Sequence, residues 1–218
     1  MRLLTILLTG FLLVSCTCGG PGEISFEELP APEFPLSEIR EGDLAFRKGT
    51  GTLSHAITWT PGNKTFSHCG VVFRRPSGEW VVVHAVPDEK EFSGDFDRVK
   101  AERLERFFSH QLCLYGELVH TSFTDTASLS RMRSRAFAWV RDSVRFDNKY
   151  EMADTSTLYC TELVWELYRR EGLDLSQGRR TLVHLPAVAD TVLLPDNLYR
   201  FSGNKAYCQI FNYKPKEK

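Results

Sequence analysis

Two short runs of β-branched and aromatic residues dominate the middle of the chain. Residues 68–74 read HCGVVFR, and residues 80–86 read WVVVHAV. The five residues between the runs, RPSGE, include the Pro and Gly that favour a turn. Two β-prone runs joined in this way predict an antiparallel hairpin. A sheet built around this hairpin is therefore expected to be the centre of the fold.

Helical periodicity appears later in the chain. Apolar residues between Leu129 and Val144 recur every three or four positions with arginines between them, which predicts an amphipathic helix with a solvated basic face. A second helix is predicted from near Cys160 to Gly172. Strands and helices are segregated along the chain, which favours an α+β fold with an antiparallel sheet packed against helices over a parallel βαβ sheet.

The composition restricts the class of partner. Of the 218 residues, 42% are hydrophobic, and the chain has 27 basic and 28 acidic side chains. This balance is typical of a globular protein. The formal net charge of −1 removes the basic field on which non-specific nucleic-acid binding depends. We therefore expect no nucleic-acid partner.

The N-terminus carries an export signal. Residues 1–15 have one positive charge and then an apolar run too short to span a bilayer comfortably. The end of this run, Leu13-Val14-Ser15-Cys16, resembles the lipobox of bacterial lipoproteins, which implies lipidation of Cys16. An ordinary secretory signal cleaved near Ser15, with Cys16 incidental, is the alternative. Thr17, by the sorting rule of such lipoproteins, implies an outer-membrane anchor facing the periplasm of a bacterial cell envelope.

This interpretation divides the chain into three parts. Residues 1–15 are the signal peptide, and residues 16–35, rich in Gly, Pro and acids, are a lipidated tether. Residues 36–218 form one folded domain, a size at which a substantial core forms without disulfides.

Cys160 is the candidate nucleophile. It falls in the first turn of the second predicted helix, where backbone N–H groups and the helix dipole stabilise a thiolate. Lipidation of Cys16 leaves five cysteines, so at least one thiol has no intramolecular partner, and a buried structural role for Cys160 is the alternative. The six cysteines are Cys16, Cys18, Cys69, Cys113, Cys160 and Cys208.

Two of the six histidines lie on the predicted hairpin. His68 begins the first strand and His84 lies near the end of the second, so pairing brings them together. They share a face only if the loop has an odd length, such as the five residues 74–78. In this arrangement His68 acts as general base for Cys160 and His84 orients it. The alternative is two ordinary half-buried strand histidines.

We expect no cofactor and no tightly bound metal. A zinc site built from His68, Cys69 and His84 is disfavoured, because adjacent residues on a strand point to opposite faces. The acid-rich segment 87–97 directly follows the hairpin and is placed to overhang the cleft, where it would attract a free amine on a substrate. A solvated surface loop is the alternative for this segment.

These residues together resemble a known family. The chain looks like the circularly permuted branch of the NlpC cell-wall endopeptidase superfamily, the papain-like YiiX/YaeF amidases, which are related more distantly to lecithin retinol acyltransferase. Histidine before cysteine is the permuted order. The matching segments are Gly42-Asp43-Leu44-Ala45-Phe46, Ser67-His68-Cys69-Gly70-Val71-Val72, Val83-His84-Ala85, Phe146-Asp147 and Tyr159-Cys160-Thr161-Glu162-Leu163-Val164.

The resemblance implies a permuted papain-like fold with Cys160 as nucleophile, His68 as base and His84 as orienting residue. The substrate class it implies is a peptide or lipid amide of the cell envelope, with the stem peptide of peptidoglycan foremost. An acyl-lipid transferase or hydrolase of the same fold and a non-catalytic envelope-binding lipoprotein are the alternatives. His84 departs from the glutamate usual in YiiX-like proteins, and Phe146 departs from a common tyrosine. Asp43 and Asp147 are interpreted as turn or capping residues.

Overall fold

The computed structural model describes residues 26–63, 65–123, 125–152, 155–183 and 191–215. The predicted signal peptide and lipidation site at Cys16 lie outside the described residues, as does His184. None of the described helices is long and apolar enough to cross a bilayer.

Twelve strands and five helices make up the described part of the chain. The strands are β1 (Phe26–Glu28), β2 (Leu44–Lys48), β3 (His68–Arg74), β4 (Trp80–Val86), β5 (Arg98–Arg103), β6 (Tyr115–His120), β7 (Arg145–Phe146), β8 (Thr157–Leu158), β9 (Thr181–Leu182), β10 (Thr191–Val192), β11 (Lys205–Phe211) and β12 (Tyr213–Pro215). The helices are α1 (Thr52–Trp59), α2 (Leu104–Phe107), α3 (Thr126–Arg141), α4 (Cys160–Arg169) and α5 (Pro195–Tyr199).

The centre of the molecule is an eight-stranded sheet. Its order is β11-β6-β2-β3-β4-β5-β7-β8, and every neighbouring pair is antiparallel except the short β7–β8 pair at one edge. Strands β2 to β5 are therefore interior strands with a partner on each side. The predicted α+β fold with an antiparallel sheet and helices is confirmed at this level.

The two faces of the sheet carry different chemistry. Alternation along β3 and β4 directs Cys69, Val71 and Val83 to the face covered by α3 and α4, which forms the larger apolar core. The opposite face packs against α2 through residues such as Val72 and Val82. At one end of that second face the apolar pattern gives way to buried polar side chains: Arg47, His68, His84, Lys100 and Glu102.

The predicted hairpin is confirmed. Its register differs by two residues from the one that would place His68 and His84 directly opposite each other. Arg74 pairs with Trp80, so five residues form the loop and the odd-loop alternative holds. This register places His84 beside Gly70, not beside His68. A Cβ on Gly70 would lie 2.9 Å from the His84 Cβ and 2.5 Å from Val82 Cγ1. The missing side chain thus leaves room for His84, and His68 meets it diagonally on the same face.

Both predicted helices are present with shifted ends. Helix α3 begins at Thr126, three residues before the predicted start, because Asp125 caps it by accepting a hydrogen bond from Ser128 N–H at 2.8 Å. It ends at Arg141, before the predicted Val144.

The basic face of α3 is not simply solvated. Arg131 and Arg135 reach Glu171 at 2.7 and 3.3 Å, and Arg133 reaches Glu41 at 3.0 Å. The arginines therefore tie the helix to neighbouring segments.

The chain contacts later segments of the structure before residue 36, the predicted start of the folded domain. Strand β1 pairs with β12, and the ring of Phe34 lies 5.8 Å from that of Phe108. Residues 26–35 were expected to belong to the tether, but this part of the chain contacts the domain.

Candidate active site

A cavity of about 260 Å³ lies at the end of the sheet where β3 begins. Cys160 and His68 both line it, so the structure brings the predicted nucleophile and base to one cavity. The remaining wall comes mainly from α1 and the residues before it, and from Val86 to Glu89 after β4. A cavity of this size accommodates a group about as large as one amino-acid residue.

Cys160 is the first residue of α4. Its backbone position follows Tyr159, which has the extended conformation of an N-cap residue, and Glu162 accepts a hydrogen bond from the Tyr159 N–H at 3.4 Å. Cys160 is 7% exposed, and Val164 and Leu167 on the same helix face are fully buried. The sulfur therefore lies at the positive end of the helix dipole and at the edge of the core, as the helical spacing predicts.

Hydrogen-bond donors surround the Cys160 sulfur. The side chain and the backbone N–H of Cys69 both hydrogen bond to it, and Thr161 Oγ1 lies 3.5 Å away. The bond from Cys69 is the largest influence, and although burial opposes it, the pKa of Cys160 falls to about 7. Burial and the contact with Cys160 raise the pKa of Cys69 well above that of an ordinary thiol. Cys69 thus stays protonated and donates to a Cys160 thiolate.

His68 and His84 are in direct contact. His68 Nε2 lies 2.8 Å from His84 Nδ1, and the two rings meet edge to face with their centroids 5.0 Å apart. This contact occupies the Nε2 atom of His68, so Nδ1 is the ring nitrogen that His84 does not engage. The two histidines of the predicted pair are therefore in contact, and their roles as base and orienting residue stay predictions.

The histidine pair is shielded from water. The ring of Phe107, on α2, lies 5.7 Å from that of His68 and 5.1 Å from that of His84. Burial, with Arg47 and His84 nearby, lowers the pKa of His68 well below its ordinary value. His68 is consequently neutral near pH 7 and able to accept a proton.

Sequence reasoning missed Glu102, which lies behind His84. Glu102 Oε2 is 3.4 Å from His84 Nε2, and both side chains are almost completely buried. Burial alone would raise the pKa of Glu102, but His84, Arg47 and Arg106 lower it to about 2. The carboxylate is therefore ionised. The sequence offers a weak signal, the alternation of polar Lys100 and Glu102 with apolar Val99 and Ala101, but the partner strand cannot be read from it.

The acid-rich segment 87–97 does reach the cavity. Pro87, Asp88 and Glu89 belong to the cavity wall. Most of its acids are nevertheless paired internally, because Glu89 bonds to buried Arg47, and Asp95 and Glu91 pair with the cations of β5. The expected acidic rim is thus largely neutralised.

Tyr150 and Tyr159 follow Phe146, the position at which the chain departs from a tyrosine common in the resembled family. Tyr150 lines the cavity together with Phe146 and has a left-handed backbone with φ of 59°. Burial, with Cys160 among the neighbouring groups, raises the pKa of Tyr150, so its hydroxyl remains a donor. The Tyr159 hydroxyl instead accepts a hydrogen bond from Leu193 N–H at 3.3 Å.

The two aspartates of the matching segments hold turns. Asp43 accepts a hydrogen bond from Arg40 N–H at 2.8 Å, and Asp147 accepts two, from Lys149 N–H at 2.9 Å and Glu151 N–H at 2.6 Å. Neither aspartate lines the cavity. This agrees with their interpretation as turn and capping residues. The four cysteines in the described part of the chain, which are Cys69, Cys113, Cys160 and Cys208, are all free thiols.

Comparison with protein-family models gives no match, and comparison with curated proteins gives none either. Among solved structures, the crystal structure of the metalloprotein yiiX from Escherichia coli O157:H7 is similar to this chain. The TM-score is 0.63 at 16% sequence identity, and the match covers 79% of this chain and 98% of that chain.

That protein is described as a metalloprotein, so the arrangement of metal-binding side chains in this chain is of interest. Within the ranges that the structure describes, no three His, Cys, Asp or Glu side chains are grouped so that they could hold a metal ion. His68 Nε2 and His84 Nδ1 face each other at hydrogen-bond distance, which is too close for one ion to lie between them. The residues of the cavity do not fit a resident metal. What the comparison shows is the fold: this chain folds like yiiX over most of its length.

Proposed function

We propose that this protein is a cysteine hydrolase that cleaves an amide bond through a thioester on Cys160. The observation that carries the proposal is the combination of a buried thiol, whose pKa falls to about 7, with a neutral imidazole in the same cavity. A low-pKa thiol at a helix N-terminus beside a histidine is the arrangement that activates nucleophilic cysteines. A structural cysteine has no need of it.

The first chemical step forms the thioester. The Cys160 proton passes to His68 Nδ1, and the sulfur adds to the carbonyl carbon of the substrate amide. The N–H groups of the first turn of α4, which have no acceptor within the helix, stabilise the negative oxygen of the tetrahedral intermediate. His68 then gives its proton to the leaving nitrogen, the C–N bond breaks, and the amine departs.

Water completes the cycle. A water molecule loses a proton to His68 Nδ1 and attacks the thioester carbonyl, which releases a carboxylic acid and returns the proton to the Cys160 sulfur. His84 keeps the His68 ring in place through the Nε2–Nδ1 contact in both steps. An acyl-transferase reaction shares the first step and differs only in the group that attacks the thioester.

The remaining features belong to the same proposal. The fold is a permuted papain-like one, in which the histidines precede the cysteine along the chain. The substrate is an amide of the bacterial cell envelope, such as the stem peptide of peptidoglycan, and a lipid on Cys16 holds the enzyme at the periplasmic side of the outer membrane. The lipobox-like sequence and the order of His68, His84 and Cys160 support these points.

The test compares the wild-type soluble domain with Cys160→Ala and with Cys208→Ala, which removes a thiol outside the cavity. Each protein is incubated with peptidoglycan fragments and, separately, with acyl-amide and phospholipid mixtures, and the products are identified by mass spectrometry. We expect amide cleavage by wild type and Cys208→Ala but not by Cys160→Ala. Transfer of an acyl group to another acceptor identifies a transferase, and identical products from all three proteins contradict the proposal.

A further inference from the structure

Glu102 lies behind the histidine pair, and the ion pairs around it do not explain why a carboxylate is buried at this place. It lies on β5, two residues from Lys100, which is the cross-strand partner of His84. Glu102, Lys100 and His84 therefore share the face of the sheet that α2 covers. Glu102 Oε2 lies 3.4 Å from His84 Nε2.

The buried cations on this face are already paired. Lys100 Nζ lies 2.9 Å from Asp95, and the Arg47 guanidinium bonds to Glu89. Glu102 is left with the half-exposed Arg106, whose Nε is 3.6 Å from Glu102 Oε1, and with His84. A buried carboxylate without a buried cation is costly unless a nearby group compensates its charge. The group nearest to it inside the protein is the His84 ring.

The hydrogen-bond geometry at Glu102 is incomplete in the resting protein. Neither carboxylate oxygen of Glu102, nor His84 Nε2, has an aligned hydrogen bond among the described residues. A separation of 3.4 Å is short enough for an ionic contact and long enough to tighten. Catalytic hydrogen bonds are often loose in the free enzyme and shorten when charge develops.

One arrangement of protons suits all three groups. A carboxylate facing His84 Nε2 favours a proton on that nitrogen, which leaves His84 Nδ1 as an acceptor. His68 then donates from Nε2 to His84, and its Nδ1 atom carries the free lone pair that the Cys160 proton needs. The opposite tautomers would place a lone pair against the carboxylate and a proton against Cys160.

We propose that Glu102 is a positioning residue for the reaction of Cys160. It fixes the tautomer of His84, and through His84 that of His68, and it stabilises the positive charge that His68 gains when it takes the Cys160 proton. Glu102 thus supplies the carboxylate that is absent at position 84. This inference rests on the proposed function, and a purely structural role as the partner of Arg106 is the competing explanation.

The test follows the alkylation of Cys160 by iodoacetamide, which needs no knowledge of the substrate. Rates are measured from about pH 5.5 to pH 9.5, across the range in which thiols ionise, with mass-spectrometric resolution of the Cys160 peptide from the other cysteines. The proteins are wild type, Glu102→Gln, which removes the charge at nearly constant shape, and Glu102→Asp, which keeps it. Arg106→Gln tests the structural explanation, and Glu117→Gln controls for loss of a buried carboxylate on β6.

The expected result is a pH-dependent loss. Removing a buried charge one ring away from His68 makes His68 a weaker proton acceptor. The alkylation rate of Glu102→Gln therefore falls by about 10-fold near pH 6.5, where Cys160 is mostly a thiol and gives its proton to His68 as it reacts. At about pH 9.5 the thiolate forms without an imidazolium, so the variant and wild type react at equal rates. Glu102→Asp recovers part of the loss, and Arg106→Gln and Glu117→Gln match wild type.

Other outcomes would contradict the role of Glu102, and one of them would contradict the proposed function instead. Equal rates for wild type and Glu102→Gln at every pH overturn the role of Glu102, and so does an equal loss in Arg106→Gln. A loss that is the same at all pH values indicates damage to the fold and also overturns it. If wild-type Cys160 reacts near neutral pH no faster than a model thiol, the proposed function itself fails.

Discussion

The donor environment of Cys160 makes a quantitative prediction for Cys69→Ala. This substitution removes the thiol that donates to the Cys160 sulfur and that most lowers its pKa. A hydrogen bond to a charged group contributes about 1.5–3 kcal/mol, which corresponds to about 1–2 pKa units. The pKa of Cys160, about 7 in the wild type, therefore rises by that amount in the variant.

The change predicts a crossover in reactivity. At about pH 7 the thiolate fraction falls from about one half to about 1–10%, while each remaining thiolate is more nucleophilic, with a Brønsted coefficient near 0.4–0.5. The net alkylation rate with iodoacetamide drops by about 2- to 6-fold at that pH. Above about pH 9.5, where both proteins are ionised, Cys69→Ala reacts faster by about 3- to 8-fold.

The assay is the pH dependence of the alkylation rate, followed on the Cys160 peptide by mass spectrometry. Cys69→Ser is the matched control, because its hydroxyl keeps a donor of similar position, and its midpoint should stay near that of wild type. A Cys69→Ala profile that superimposes on the wild type, or that is slower at every pH, would refute the role of the Cys69 thiol.

Three further predictions concern packing, pH and anchoring. Gly70→Ala forces a Cβ to within 2.5 Å of Val82 Cγ1 and should lower the free energy of unfolding by about 1–3 kcal/mol in chemical denaturation. The control is Gly51→Ala, where a Cβ meets nothing within 4 Å and the free energy of unfolding should fall by less than about 1 kcal/mol. Equal effects of the two substitutions would contradict the register at Gly70. Folding lowers the pKa of His68 well below its ordinary value of 6.5. The unfolded chain therefore binds a proton that the folded protein does not, and the urea midpoint should fall as the pH drops below that value. A His68→Gln variant whose urea midpoint has the same pH dependence would disprove this linkage. Cys16→Ser should release the protein from the membrane fraction while Cys18→Ser should not, and membrane retention of Cys16→Ser would exclude lipidation at that residue.

Local patterns predicted the elements on which the candidate site is built. The strands His68–Arg74 and Trp80–Val86 coincide with the two β-branched runs, and α4 begins at Cys160 as predicted. These signals are strong because a hairpin and an amphipathic helix are determined by nearby residues. The start of α3 was missed although its signal is local, since Asp125 three residues before Ser128 is an ordinary N-cap pattern.

Contacts between distant segments could not be predicted in the same way. The loop spans residues 75–79, as the two β-branched runs predict, whereas direct opposition of the two histidines would have needed a loop of residues 74–78. This register decides that His84 lies beside Gly70, and the strand pattern alone does not determine it. The partnership of Glu102 with His84 depends on β5 pairing with β4, and the sequence does not specify that register. The donation from Cys69 to Cys160 depends in turn on how α4 packs on β3.

The most direct test of the central claim is the intact mass of the enzyme during turnover. Wild type and Cys160→Ala are quenched in acid within seconds of mixing with the amide that the wild type cleaves, and the location of any adduct is mapped by peptide analysis. A covalent nucleophile predicts a wild-type mass increased by the acyl group less one hydrogen, located on Cys160 and absent from the variant. Amide cleavage that persists in Cys160→Ala, or an adduct on a different cysteine, would contradict the assignment.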